Sequence, residues 1–183
     1  MEVMTMIPTL ETPRLLLRQL TIADINAIEK FTTDDEVTVF LTWDTHQSLN
    51  ETEAFLNELL KKYEHGSLIW GIIVKENDRL VGIIEFSEYR RDEKIAEMSC
   101  VIAKSYWGND YASEATQALI RYGFSELKLE RIQASYFAGN ISSEHVLQKA
   151  GLFYEGTQRR GKFVKGRYHD VKLYAILRSD LGY

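Results

Sequence analysis

Between Leu68 and Ala138 the chain changes its hydrophobic rhythm twice, and that change leaves few folds open. Leu68 to Lys75, Leu80 to Tyr89 and Lys94 to Lys104 are strand-like runs parted by polar turns such as Glu76-Asn77-Asp78-Arg79. They predict an antiparallel meander. A helical stretch follows from Tyr111 to Leu127, and then a strand from Arg131 to Ala138. A strand, a helix and a second strand in this order make a parallel crossover, so one sheet must mix both pairings. The turn before that helix then lies at an open sheet end, where ligands bind in such folds.

The flanking segments extend the pattern. Arg14 to Leu20 reads as a strand, and Thr21 opens a helix with Ile22, Ile25, Ile28 and Phe31 on one face. Asn50, with Glu53 three residues on, predicts a capped helix ending near Gly66 with the stripe Phe55, Leu59 and Tyr63. A short helix from Ser142 to Ala150 stops at Gly151, and Phe153 to Phe163 with Tyr168 to Arg178 form a final hairpin. No linker or repeat interrupts residues 1–183, which predicts a single α+β domain: a mixed, largely antiparallel seven-stranded sheet with about four flanking helices.

Composition enters mainly to exclude. With 183 residues and one cysteine, Cys100, the chain needs no staple and can form no internal disulfide, which fits a reducing compartment. Met1 to Leu10 has no basic start with an apolar core behind it, and no run is long enough to span a membrane; the expected location is the cytoplasm. A net charge of −5 argues against direct nucleic-acid contact. One basic cluster stands apart, Arg159, Arg160, Lys162, Lys165 and Arg167, which reads as a solvated hairpin rim or as an anion or adenine-nucleotide contact. The histidines His46, His65, His145 and His169 have no ligand spacing, so no metal is expected, and no Gly-x-Ser-x-Gly elbow is present.

The segment Tyr106-Trp107-Gly108-Asn109-Asp110-Tyr111-Ala112-Ser113 leaves a strand and enters the long helix. A helix N-terminus offers unpaired N–H donors and partial positive charge, and small residues at Gly108, Ala112 and Ser113 let a diphosphate approach the backbone. Any strand-to-helix turn shares part of this property.

Thr12-Pro13-Arg14-Leu15-Leu16-Leu17-Arg18 with Asp24, Ala96-Glu97-Met98, the loop above, Asn140 to Leu152, and Gly166, Asp170 and Tyr174 together give the chain a wider likeness. It resembles the GNAT acetyltransferase superfamily, and within it the RimJ/RimL type of ribosomal-protein N-acetyltransferases. The resemblance implies acetyl-CoA as donor, with contacts from Val101, Ile102, Trp107, Gly108, Asn109, Asp110, Tyr111, Ala112, Ser113 and Asn140. The loop departs from the family's Gln/Arg-x-x-Gly-x-Gly/Ala: Trp107 stands first, Asp110 replaces the middle glycine and Ala112 comes last. A carboxylate beside a diphosphate repels it unless it turns away, although Asp tolerates left-handed backbone.

Amide formation needs a neutral amine, a stabilised oxyanion and a proton for the departing thiolate. Glu97 occupies the family's base position, with Glu85 as the competing base or an acceptor-binding group; either also reads as an ordinary sheet carboxylate. Ser143 is the candidate acid, and a backbone N–H near Val101 or Ile102 the oxyanion donor, while Asn140 and Ser143 also read as turn and early-helix residues. Trp43, Phe40 and Trp70 read as acceptor-side aromatics or as core. At pH 7, neutralising an α-amine costs about 1 kcal/mol against about 4.6 kcal/mol for a lysine, which favours a protein N-terminus. A polyamine, an aminoglycoside, or cofactor binding without transfer are the alternatives. A ribosomal protein and a second copy of the chain are the candidate partners.

Overall fold

The computed structural model describes residues 7–182, so the reading of Met1 to Leu10 as leaderless lies mostly outside it. One eight-stranded sheet runs in the order β1-β2-β3-β4-β5-β6-β8-β7. Its strands are β1 (Leu10–Glu11), β2 (Leu15–Arg18), β3 (Leu68–Val74), β4 (Arg79–Arg90), β5 (Ile95–Ile102), β6 (Arg131–Phe137), β7 (Phe153–Val164) and β8 (Arg167–Leu177). The helices are α1 (Ile25–Thr32), α2 (Asp35–Thr38), α3 (Leu49–Lys62), α4 (Tyr111–Ser125) and α5 (Ile141–Lys149).

The sheet is mixed and largely antiparallel, with one strand and one helix more than the sequence implied. The added strand, β1, is two residues that pair Leu10 with Leu17 and Glu11 with Leu16, too short to show a period. The added helix, α2, is a single capped turn: Asp34 accepts the Glu36 N–H at 2.9 Å. The cap of α3 is Ser48 rather than Asn50. Ser48 and Glu51 stand three residues apart and bond reciprocally, and Glu51 also takes the Gln47 N–H. Asn50 with Glu53 has the same spacing two residues too late. The buried stripe is accordingly Thr52, Leu56, Leu59 and Tyr63, with Phe55 only packed against its edge.

Two ion clusters fix residues 12–24 to this frame. Arg18 grips Asp24 through two bonds of 2.9 and 2.8 Å, and the Thr21 N–H adds a third at 2.8 Å. Burial alone would raise the Asp24 carboxyl, but those bonds and the Arg18 charge outweigh it and hold the pKa below the ordinary value. Glu114, on the first turn of α4, accepts from Thr12 Oγ1 at 2.6 Å, from the Arg14 N–H at 3.0 Å and from Arg14 Nε at 2.7 Å. These bonds fasten the start of α4 to the segment before β2.

The sheet forks at β5 and β6. Their parallel pairing covers only Ile95 with Arg131, Ala96 with Ile132 and Glu97 with Gln133. Beyond that point β5 stays with β4 as far as Ile102, while β6 stays with β8 as far as Phe137. Helix α4 closes over the sheet beside the fork, and Gly123 permits the approach: a Cβ there would meet Ile132 at 2.7 Å and Leu129 at 3.0 Å. The core beneath includes Trp70, Ile84, Leu119, Phe124 and Ile132, all fully buried.

Candidate active site

The open arm of β5 presents its backbone to the fork. Ala103 donates its N–H to Val81 across the β4 side at 2.8 Å, so the alternation of the ladder turns Ile102 and Cys100 the other way. The Ile102 carbonyl indeed points away from β4 and accepts the Trp107 indole N–H at 2.8 Å. Of the two residues singled out for an oxyanion donor, Ile102 therefore faces the gap with its main chain and Val101 faces β4.

A short turn, Lys104–Tyr106, leads from β5 to the mouth of α4. Gly108 and Asp110 both take left-handed backbone, with φ of 78° and 62°. Asn109 spends its amide inside the turn, donating to the carbonyls of Tyr106 at 3.0 Å and Trp107 at 3.3 Å. The first helical bond runs from the Glu114 N–H to the Asp110 carbonyl. The N–H groups of Tyr111, Ala112 and Ser113 lie ahead of it, where the helix offers no carbonyl. The Asp110 carboxylate swings onto Lys149 Nζ, 2.8 Å away on α5. The Lys149 bond and charge hold its pKa low, so the repulsion expected from this residue is matched by a cation at the same mouth.

These pieces enclose a cavity of about 430 Å³ within the fork. Val101, Ile102, Trp107, Gly108, Asp110, Tyr111, Ala112 and Ser113 line it from one side, and Asn140 and Ser143 from α5. The Asn140 side chain caps α5 by accepting the Ser143 N–H at 3.1 Å. Phe40 reaches the cavity from beyond α2. Trp70 does not: it is core, its indole N–H bonded to the Pro8 carbonyl at 2.8 Å. Trp43 packs against His46 and Phe55 and lines no described cavity. Tyr136, unremarked in the sequence, is buried beside the cavity, and its hydroxyl makes no well-formed hydrogen bond among the described residues. Burial first, then the nearby Tyr174 and Glu144, push its ionisation far above the tyrosine range.

Glu97 opens on a second cavity, of about 260 Å³. Its carboxylate accepts from Ser135 Oγ at 2.8 Å and from Gln133 Nε2 at 3.2 Å, both on β6. Ser135 lines both cavities, which makes it the joint between them. Glu88 pairs with Glu97 directly across the strands and shares the second cavity, which Arg131, Gln158 and Lys162 also line. Glu85 accepts the Ser99 hydroxyl at 3.0 Å and lines neither cavity. Ser135, Glu88 and Lys149 escaped the sequence reading because their roles come from strand register and helix packing between distant segments. Among the described residues no cluster of His, Cys, Asp and Glu could hold a metal, and no helix is long and apolar enough to cross a membrane.

A slot between diverging strands, entered past a helix mouth lined with free N–H groups, is the site of a transferase that takes a donor with an anionic head and a slender reactive arm. The family comparison agrees: the acetyltransferase (GNAT) domain model matches residues 14–152. The chain belongs to the GNAT acetyltransferase family, and it is an acetyl-CoA-dependent N-acetyltransferase. It is 33% identical over 174 residues to an uncharacterized N-acetyltransferase, YoaA, of Bacillus subtilis, covering 94% of this chain and 98% of the relative. It is 26% identical over 167 residues to the spermidine N(1)-acetyltransferase of Vibrio cholerae, covering 91% and 94%, and 30% identical over 129 residues to the ribosomal-protein-serine acetyltransferase of Escherichia coli, covering 70% and 72%. A GNAT-family acetyltransferase from Bacillus anthracis has the same fold, with a TM-score of 0.85 at 30% identity over 94% of this chain and 99% of that one.

Proposed function

We propose that the chain acetylates the N-terminal α-amine of a protein, a RimJ/RimL-type reaction for which a ribosomal protein is the leading candidate. The observation that carries this reading is the Ser135–Glu97 bond, which sets a carboxylate on the acceptor side against a group that also lines the donor slot. The likeness to the ribosomal-protein-serine acetyltransferase and the lower cost of neutralising an α-amine support it.

Acetyl-CoA supplies the acyl group as a thioester. The main chain from Trp107 to Ser113 holds its diphosphate, with Lys149 nearby, and Asn140 and Ile102 border its arm. Glu97 takes the proton of the ammonium group, directly or through water. The freed amine forms the C–N bond as the C–S bond breaks, and the Ile102 N–H faces the developing oxyanion. Ser143, whose hydroxyl has no partner among the described residues, relays a proton to the thiolate, a modest duty because a thiol leaves readily. Transfer is direct, within a ternary complex.

The single sheet supports one domain over residues 1–183, and the lone Cys100 supports the cytoplasm. A polyamine acceptor is the second reading, favoured by the facing carboxylates of Glu88 and Glu97 and by the spermidine N(1)-acetyltransferase relative. Acetyl-CoA-dependent thiol release with N-terminal peptides, lysine side-chain amines, spermidine and an aminoglycoside separates these. Turnover of peptides with a free α-amine is expected; turnover confined to small amines overturns the proposal.

A further inference from the structure

The second cavity is lined by both signs of charge. Glu88 and Glu97 stand opposite each other on β4 and β5, an arrangement that destabilises a strand pair unless a cation lies between. Glu88 has no hydrogen-bond or ion-pair partner among the described residues. Lys162 lines the same cavity from β7, on the hairpin side of the Glu97 row, and Arg131 lines it from the opposite side, joined to Glu97 through the Gln133 amide. Glu155 occupies Arg131, whereas Lys162 has no acidic partner among the described residues.

Lys162 is also the inner member of a longer cationic surface. From Gln158 to His169 the β7–β8 hairpin carries Arg159, Arg160, Lys162, Lys165 and Arg167 and no acid, on a chain whose net charge is −5. None of these five takes part in an ion pair among the described residues. Asp170, the nearest acid along the hairpin, accepts the Arg160 main-chain N–H at 2.7 Å. Lys165 donates to the Thr38 carbonyl at the end of α2, which bends the tip back toward the side of the molecule where Phe40 enters the donor slot. The tip is therefore held beside α2, its cations without acidic partners among the described residues.

A polyamine entering such a site meets its own sign of charge at every step past Glu97. A chain with a cation at its end and anions behind it meets the opposite sign throughout. An extended peptide advances about 3.3 Å per residue, so the residues just after the first come beside Lys162 in the same cavity and later ones run along the hairpin. A free amino acid would leave most of the cationic surface uncovered.

Resting on the peptide-acceptor reading above, we propose that the preferred substrate is a polypeptide with acidic residues just after its first, the ammonium group held by Glu88 and Glu97 and the following carboxylates by Lys162 and the hairpin cations. Charge of this kind selects mostly through encounter and orientation, and salt weakens it.

The test uses the full-length protein and three peptides with the same first residue, followed by Asp/Glu, by Ser/Gly or by Lys, with spermidine as a fourth acceptor. At low salt, kcat/KM is expected to favour the acidic over the lysine peptide by about 30-fold or more, the gap shrinking several-fold at high salt. In the double variant R159E/K162E the acidic and lysine peptides should exchange rank, while acetyl-CoA affinity, measured by calorimetry, reports that the fold is intact. Equal use of all three peptides overturns the acidic preference and leaves the peptide-acceptor reading standing. Turnover of spermidine alone overturns both. Tight RNA binding by the hairpin with no peptide preference assigns the cations to a different partner and likewise overturns the proposal.

Discussion

The mouth of α4 and the tip of the β7–β8 hairpin are both turns at the end of an element, yet they are held in opposite ways. At the mouth, Asn109 closes the turn on two carbonyls, Trp107 pins it to Ile102 and Asp110 is matched by Lys149. Nearly every side chain there is engaged, and what remains on offer is main-chain N–H. At the tip, Phe163 and Tyr168 are each 62% exposed and pack edge to face against one another, with the cations around them free of acids. The first region presents backbone to a ligand, which any acceptor would share; the second presents side chains, which can be exchanged for another acceptor without disturbing the fork. On the proposed reading, the difference separates binding a common donor from choosing an acceptor.

Mutations can break that separation or sharpen it. Glu97→Gln is expected to have the largest effect, lowering kcat by about 10²- to 10⁴-fold and flattening the alkaline rise of the rate, with acetyl-CoA affinity retained in calorimetry. A parallel loss of donor affinity would show that the two regions are one. Asp24→Asn acts on the frame beneath both and should cost about 2 kcal/mol of stability at pH 7, a figure moderated by the one-third exposure of Arg18. The sign follows from a lowered folded-state pKa: the contribution is complete above the unfolded value near pH 4 and is lost as pH falls through the folded one. Urea unfolding should therefore show the deficit at pH 7 and little of it in strong acid; a deficit that persists unchanged in acid would deny the ion pair its role. Smallest is Lys149→Glu, which leaves Asp110 unmatched at the mouth and should raise the KM for acetyl-CoA about tenfold at low salt, less at high salt, with peptide ranking unchanged. A shift in acceptor ranking in that variant would join the regions again.

The sequence carried the donor side further than the acceptor side, for a physical reason. Strand and helix periods placed β3 to β6 and α4 within a residue or two, and the loop from Trp107 to Ser113 was legible because its chemistry lies in contiguous backbone. The cap of α3 was misplaced by two residues because Ser48/Glu51 and Asn50/Glu53 satisfy the same local pattern. Trp43 and Glu85 read as acceptor groups because aromatic and acidic residues are suited to that task, but packing with Phe55 and the register opposite Ser99 decide where they sit. The facing of Glu88 and Glu97 depends on an irregularity in the ladder between Phe86 and Glu88, which no local pattern announces.

Cys100 lines the donor slot, mostly buried, and burial pushes its thiol up to about 12. At neutral pH almost none of it is thiolate. A thiol that lines the donor slot is thus held in its poorly nucleophilic form, which predicts that it does not compete for the donor's acyl group. Intact-mass measurement after incubation with acetyl-CoA alone should find the chain unmodified, and iodoacetamide should label Cys100 slowly until the fold opens.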